Sequence, residues 1–263
     1  DGNPNVTSEV TKKVILFSRW QAAKLYEKEF TKLIQDLSMK ECSPEIKKVT
    51  GKTFEPYRVY LRPIRDKIRL THQSIENHLT KNEALINNKL LQDKNEILKP
   101  LRIVRDSLNL NRGQHIANSD LLDLIRRARC FGINLAKVDI RQESSRHEKL
   151  VNFIIKAKYN IDFLKLNENK KINLLNKLIK QKKYFIDKLI IRDKENKEVW
   201  NTFKQISKEP DQCLGAYVIS MTSKASDILS VYLLQKQAQT KYLLRVVPLF
   251  ETLEDLKNAK DIM

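Results

Sequence analysis

The sequence predicts an α/β protein that is predominantly helical, and three observations carry that expectation. Glycine and proline number only 5 and 7 in 263 residues, too few for the tight turns of a β-sandwich or β-barrel. The first half repeats apolar residues at three- and four-residue intervals, the period of a helix buried along one side. After Gly132 the pattern becomes short strand-like segments interleaved with helical ones, which at this spacing implies a parallel β/α arrangement. A chain of this length, 41% apolar and 31% charged, has enough material for a sizeable core and does not read as disordered.

The elements follow in order. Thr7 or Ser8 caps a first helix whose stripe is Val10, Val14, Phe17, Tyr26, Phe30, Leu33 and Leu37, and Ser43-Pro44 breaks it. A second helix starts near Pro56 and buries Leu61, Ile64, Ile68, Ile75 and Leu79. A third runs through Leu90 to Leu110 and ends around Gly113. Asn118-Ser119-Asp120 caps a fourth that carries Leu121, Leu122, Leu124 and Ile125 and ends at Gly132. Its basic turn, Arg126, Arg127 and Arg129, is favourable charge at the negative end of a helix dipole. The segment 135–141 then alternates, with Val138 and Ile140 on one face and Lys137, Asp139 and Arg141 on the other. Residues 216–221 are a second strand, leading into a helix capped by Ser223 or Ser226. Residues 243–250 are a third, leading into a helix through Leu253, Leu256 and Ala259. The stretch from about 149 to 212 reads as a helical insertion.

No apolar run approaches the roughly 20 residues of a membrane span. The N-terminus has neither the basic start nor the apolar core of a signal peptide, and without an initiator Met the sequence reads as continuing upstream. Cys42, Cys130 and Cys213 are odd in number and lack metal-ligand spacing, so they read as reduced core thiols of a cytoplasmic protein. The net charge of +18 raises the possibility of nucleic acid as a partner. The lysines are scattered, however, and their densest stretch, Lys165 to Lys197, also holds Asp162 at its edge, Glu168, Asp187, Asp193 and Glu195. That is the composition of a solvated helical face.

Parallel β/α folds bind ligands at the carboxyl ends of their strands. There the first strand presents Asp139, Arg141 and Glu143, and the third presents Glu251, on the face of Val247 and Leu249. A guanidinium and a carboxylate at one strand mouth suit a phosphorylated anion bridged to a divalent metal. The same residues also fit a structural role, with Arg141 paired to Glu143 or Asp139 and Glu251 favouring the start of its helix. His147, alone after the first strand, reads as structural, and no Ser-His-Asp, Cys-His or phosphate-loop pattern is present.

The block Asp120–Gly132 followed by Val138–His147, read as Val-Asp-Ile-Arg-Gln-Glu-Ser-Ser-Arg-His, resembles a signature of the phosphoenolpyruvate carboxylases. Asp1–Thr7, Glu55–Arg58, Ala216–Met221 and Pro248–Leu253 resemble further blocks of that family, in the family's order. The resemblance covers the chain and thins only around 81–95 and 150–210. Ser119 stands where the family usually has glycine.

The resemblance implies a partial (β/α)8 phosphoenolpyruvate-binding barrel of TIM type with long helical insertions. Residues 1–132 would be a helical region and 133–263 part of the barrel, within one domain of a larger enzyme. It implies a segment of a cytoplasmic, homotetrameric lyase that forms oxaloacetate and phosphate from phosphoenolpyruvate and bicarbonate, with Mg2+ (or Mn2+) as cofactor. Arg141 would be catalytic, binding the substrate phosphate, and Glu251 would ligate the metal. Bicarbonate attacks the phosphate, giving carboxyphosphate and an enolate that captures the released carbon dioxide. The family's catalytic histidine, second metal carboxylate and glycine-rich loop have no match among these residues, so the segment alone is expected to be inactive. The competing reading is a non-catalytic basic helical module that binds nucleic acid or another polyanion.

Overall fold

The computed structural model describes residues 6–85, 89–181 and 184–263. Asp1–Asn5, which open the first family-like block, and Lys182 and Lys183 of the basic stretch lie outside the described residues. The chain is mostly helical and divides into two compact units, one of Lys13–Lys137 and one of Asp1–Lys12 with Val138–Met263.

The helical unit contains most of α1 (Ser8–Asp36), then α2 (Pro44–Thr50), α3 (Pro56–Lys81), α4 (Asn95–Leu110), α5 (Gln114–Ala117) and α6 (Asp120–Phe131). Pro44 and Pro56 begin their helices, where the missing N–H costs nothing. Gly132 closes α6 at φ 61, a conformation that L side chains avoid. The buried rows of α3, α4 and α6 are Leu61, Ile68 and Ile75; Leu101, Val104 and Leu108; and Leu121, Leu124 and Ala128.

The family-like Glu55–Arg58 block is structural here. The Tyr57 hydroxyl meets Ser107 Oγ at 2.8 Å in the core, and the same Ser107 oxygen accepts from the Ser43 N–H. Arg58 donates to the carbonyls of Ile34 and Gln35 in the last turn of α1 and pairs with Glu55. A cation at that end also matches the helix dipole.

Several details differ from the sequence expectation. Val10, Val14 and Phe17 of the expected stripe are exposed, and the first half of α1 instead buries Ile15, Leu16, Ala22 and Ala23, while Tyr26, Phe30, Leu33 and Leu37 are buried as expected. Two apolar rows compete near the start of this helix, and tertiary neighbours select the buried one there. The third predicted helix begins at Asn95; Leu90 precedes it and packs with Leu16 and Ile75. Ser119 occupies the cap position of α6, but its hydroxyl donates backward to the His115 carbonyl. Arg126 and Arg127 of α6 form ion pairs with Asp123 and Glu29. Of the three free cysteines only Cys213 is buried, and Cys130 is exposed, so they are not uniformly core thiols.

The second unit is built on a three-stranded parallel sheet in the order β1 (Val138–Glu143), β2 (Leu214–Ser220), β3 (Val246–Pro248). Between β1 and β2 run α7 (Ser144–Tyr159), α8 (Glu168–Lys180) and α9 (Lys194–Ile206); α10 (Ala225–Gln237) joins β2 to β3, and α11 (Leu253–Ile262) follows. The first strand thus lies about three residues later than its alternation suggested, and the third is shorter, because a strand is bounded by where a neighbour can pair with it. All three strand candidates belong to one sheet. Val138 pairs with Leu214 and Ile140 with Tyr217, so β2 holds one extra residue there, a β-bulge. The Asp139 carboxylate takes the Ala216 N–H at 2.7 Å beside this irregularity.

Candidate functional site at the carboxyl end of the sheet

Strand alternation divides this sheet into two chemically different faces. Ile140, Gln142, Tyr217 and Ile219 are buried and face the helical layer, where Tyr217 stacks on Phe203 of α9 with ring centroids 5.1 Å apart. Arg141 points to the other side, level with Val218 and Val247 across the three strands. Val218 there is buried and Val247 partly exposed, while Asp139 and Arg141 of β1 are exposed. The guanidinium therefore stands on the more open face, while its neighbour Gln142 is fixed in the core.

β3 continues its ladder past Pro248: the Leu249 N–H donates to the Ile219 carbonyl at 2.8 Å, and the Thr222 N–H to the Leu249 carbonyl at 3.3 Å. Glu251 lies two residues further on, exposed, just before Thr252 caps α11 through Asp255. Its carboxylate makes no hydrogen bond or ion pair among the described residues. Arg141 and Glu251 thus belong to the carboxyl side of one sheet, two strands apart. Strand spacing puts their backbones about 10 Å apart across the sheet and at most about 13 Å along it, so a ligand, not a direct ion pair, would have to span them.

The two carboxylates beside Arg141 on β1 also bind neighbouring groups. Asp139 accepts from Ala216, and Glu143 Oε1 accepts from the Ser145 hydroxyl at 2.7 Å. Beyond the mouth, the Ser144 hydroxyl donates to the Met221 carbonyl at 2.8 Å, tying the ends of β1 and β2 together. At the start of α10, Asp227 accepts from the Ser223 and Lys224 N–H groups, yet burial still pushes its carboxyl above the ordinary carboxylate range.

A divalent cation such as Mg2+ takes about six oxygen ligands. Glu251 offers one carboxylate, and among the described residues no group of three or more His, Cys, Asp and Glu gathers that could hold a metal. The residues present do not fit a complete metal site. Two clefts, one of about 640 Å³ lined by Lys40, Cys42, Lys47 and Phe54 and one of about 570 Å³ lined by Ile179, Tyr184 and Tyr232, include neither Arg141 nor Glu251.

His147 is fully buried, as its structural reading requires, and it has partners that sequence reasoning missed. Its Nε2 lies 2.8 Å from the Tyr217 hydroxyl and 3.2 Å from Gln142 Oε1, and that hydroxyl donates to Gln142 Oε1 at 2.7 Å. Burial, helped by neighbouring Arg146, pushes the imidazole down to about 3. Burial also raises the Tyr217 phenol, so both rings are neutral. One signal was available in the sequence: Gln142 is a polar residue falling on the apolar phase of β1.

A parallel sheet with helices between its strands places the chain among the α/β proteins, whose ligands bind at the carboxyl ends of the strands. Comparison narrows the class. A family model described as phosphoenolpyruvate carboxylase matches residues 1–263. Similar proteins include the phosphoenolpyruvate carboxylase of Photorhabdus laumondii, 40% identical over 265 residues, covering 100% of this chain and 30% of that protein. That of Pectobacterium carotovorum is 39% identical and that of Acinetobacter baylyi 40%, each matching 100% of this chain and 30% of the relative. The chain belongs to the phosphoenolpyruvate carboxylase family. It spans about 30% of the length of the curated relatives it matches.

Proposed function

We propose that this chain is a segment of a phosphoenolpyruvate carboxylase, forming oxaloacetate and phosphate from phosphoenolpyruvate and bicarbonate, and that it contributes Arg141 and Glu251 to the active site. The observation that carries the reading is the placement of Arg141 on the open face of a parallel sheet whose third strand leads to Glu251. Arg141 would grip phosphate oxygens through its planar fork. Glu251 would give one oxygen ligand to Mg2+ (or Mn2+), whose remaining ligands come from elsewhere in the longer enzyme. The three strands would be part of a (β/α)8 barrel, with residues 1–132 as a helical region, 133–263 as barrel and 149–212 as an insertion. A cytoplasmic homotetramer accompanies the family reading. For the membrane, the structure adds that no helix among the described residues is long and apolar enough to cross one.

The alternative, a polyanion-binding module, would need an unneutralised basic face. Lysines of the second unit pair with acids at three places instead: Lys149 with Glu195, Lys171 with Glu148 and Lys204 with Asp187.

The test uses the full-length polypeptide that carries these residues. Arg141→Lys keeps the charge and loses the fork, so the phosphoenolpyruvate KM should rise while the fold is unchanged by circular dichroism. Glu251→Gln should raise the metal concentration needed for half-maximal activity and lower turnover. Full activity of Glu251→Gln at limiting metal would overturn the metal assignment. An unchanged KM in Arg141→Lys would overturn the phosphate assignment.

A further inference from the structure

Behind Arg141 sits a closed polar cluster with no place in the proposed chemistry. Gln142, His147 and Tyr217 are 6%, 0% and 0% exposed, and burying three polar side chains in an apolar layer is costly unless every donor is used. Their hydrogens can be assigned by elimination. Gln142 Oε1 is only an acceptor and receives the Tyr217 hydroxyl hydrogen at 2.7 Å. That leaves the Tyr217 oxygen free to accept. His147 Nδ1 is buried without a partner, so a hydrogen there would be an orphan donor. With the hydrogen on Nε2, His147 donates to the Tyr217 oxygen at 2.8 Å and, more weakly, to Gln142 Oε1 at 3.2 Å. This tautomer satisfies each N–H and O–H of the cluster at those atoms. The other would face Nε2 and Oε1 as two acceptors competing for one hydroxyl hydrogen.

We propose that Gln142, His147 and Tyr217 are positioning residues, holding β1 against β2 and the helical layer so that Arg141 is presented to the substrate phosphate at a fixed height. The proposal rests on the reading of Arg141 given above. One peptide bond joins the backbone of Gln142 to that of Arg141, and Gln142 and Tyr217 lie on adjacent strands, with Gln142 opposite Ile219 and Ile140 opposite Tyr217. The bulge beside Val138 and Ile140 locally disrupts the ladder next to Arg141. The cluster and the Ser144–Met221 hydrogen bond fix the strands on the carboxyl side of Arg141. Aromatic contacts confine the cluster further, since the Tyr217, His147 and Phe203 rings all touch one another.

The experiment compares Tyr217→Phe, His147→Leu, His147→Gln and Arg141→Lys in the full-length polypeptide, with KM, kcat and Tm measured for each and rates taken well below every Tm. The phenylalanine variant removes one hydroxyl and keeps the ring stack, so it folds even where His147→Leu does not. Tyr217→Phe is expected to raise the phosphoenolpyruvate KM about tenfold, below the roughly 100-fold in rate that a 1 Å misplacement can cost, with kcat changed far less. His147→Gln, whose amide N–H stands in for the Nε2 hydrogen, should recover most of the loss seen in His147→Leu. Adding Tyr217→Phe to Arg141→Lys should raise KM no further, because the two act on one contact. If Arg141→Lys raises KM while Tyr217→Phe lowers only Tm, the cluster is structural and this proposal is overturned, with the phosphate assignment intact. If Arg141→Lys leaves KM unchanged, the phosphate assignment falls, and this proposal falls with it.

Discussion

Acidification from pH 7 to pH 5 is expected to destabilise the β/α unit by about 2 kcal/mol through His147 alone. The imidazole falls from an ordinary value of 6.5 to about 3 in the fold, chiefly by burial. Between those values the unfolded chain binds a proton that the folded chain refuses, so stability rises with pH in this window. The contribution is fully present above 6.5 and is lost progressively as pH falls toward 3. Each pH unit within the window is worth about 1.4 kcal/mol; one and a half such units lie between 6.5 and 5. With a slope near 2 kcal/mol per molar urea, the unfolding midpoint should fall by about 1 M. Trp200, nearly buried on α9 of the same unit, reports the transition once Trp20 is replaced by Phe. His147→Gln carries no titrating ring, so its midpoint should move much less over the same range. Other groups titrate in both proteins, and the difference between them isolates His147. If the two lose equal stability between pH 7 and pH 5, His147 is not the buried neutral imidazole described here.

Three further outcomes follow from named contacts. Ser107→Ala removes the partner of the Tyr57 hydroxyl and of the Ser43 N–H and should cost about 1–3 kcal/mol in denaturant unfolding of the helical unit. Asp139→Ala leaves the Ala216 N–H without its 2.7 Å acceptor; that amide should exchange with solvent distinctly faster in hydrogen-exchange NMR, with loss of about 1 kcal/mol. The 263-residue chain by itself should form no measurable oxaloacetate in a coupled assay, because one carboxylate and one guanidinium do not fix metal and substrate in reacting geometry.

The sequence by itself determined what depends on local pattern. A helix start at Pro56 and a helix end at Gly132 follow from fixed or permissive backbone torsions, and they appear where those residues stand. Three strands in one parallel sheet follow from short apolar segments interleaved with helical ones. The placement of Arg141 on the opposite phase from Gln142 follows from the two-residue period of a strand. Tertiary structure decided whatever needed a distant neighbour. Which of two apolar rows on α1 was buried depended on Ile75 and Leu90 meeting Leu16. The limits of β1 and β3 depended on where β2 offered partners, and the pairing across the bulge gave Asp139 its engagement. The partners of His147 stand 5 and 70 positions away, in β1 and β2. A lone histidine in a sequence carries no record of them, because burial and hydrogen bonding are properties of the folded neighbourhood, and only that neighbourhood sets which ring nitrogen holds the proton.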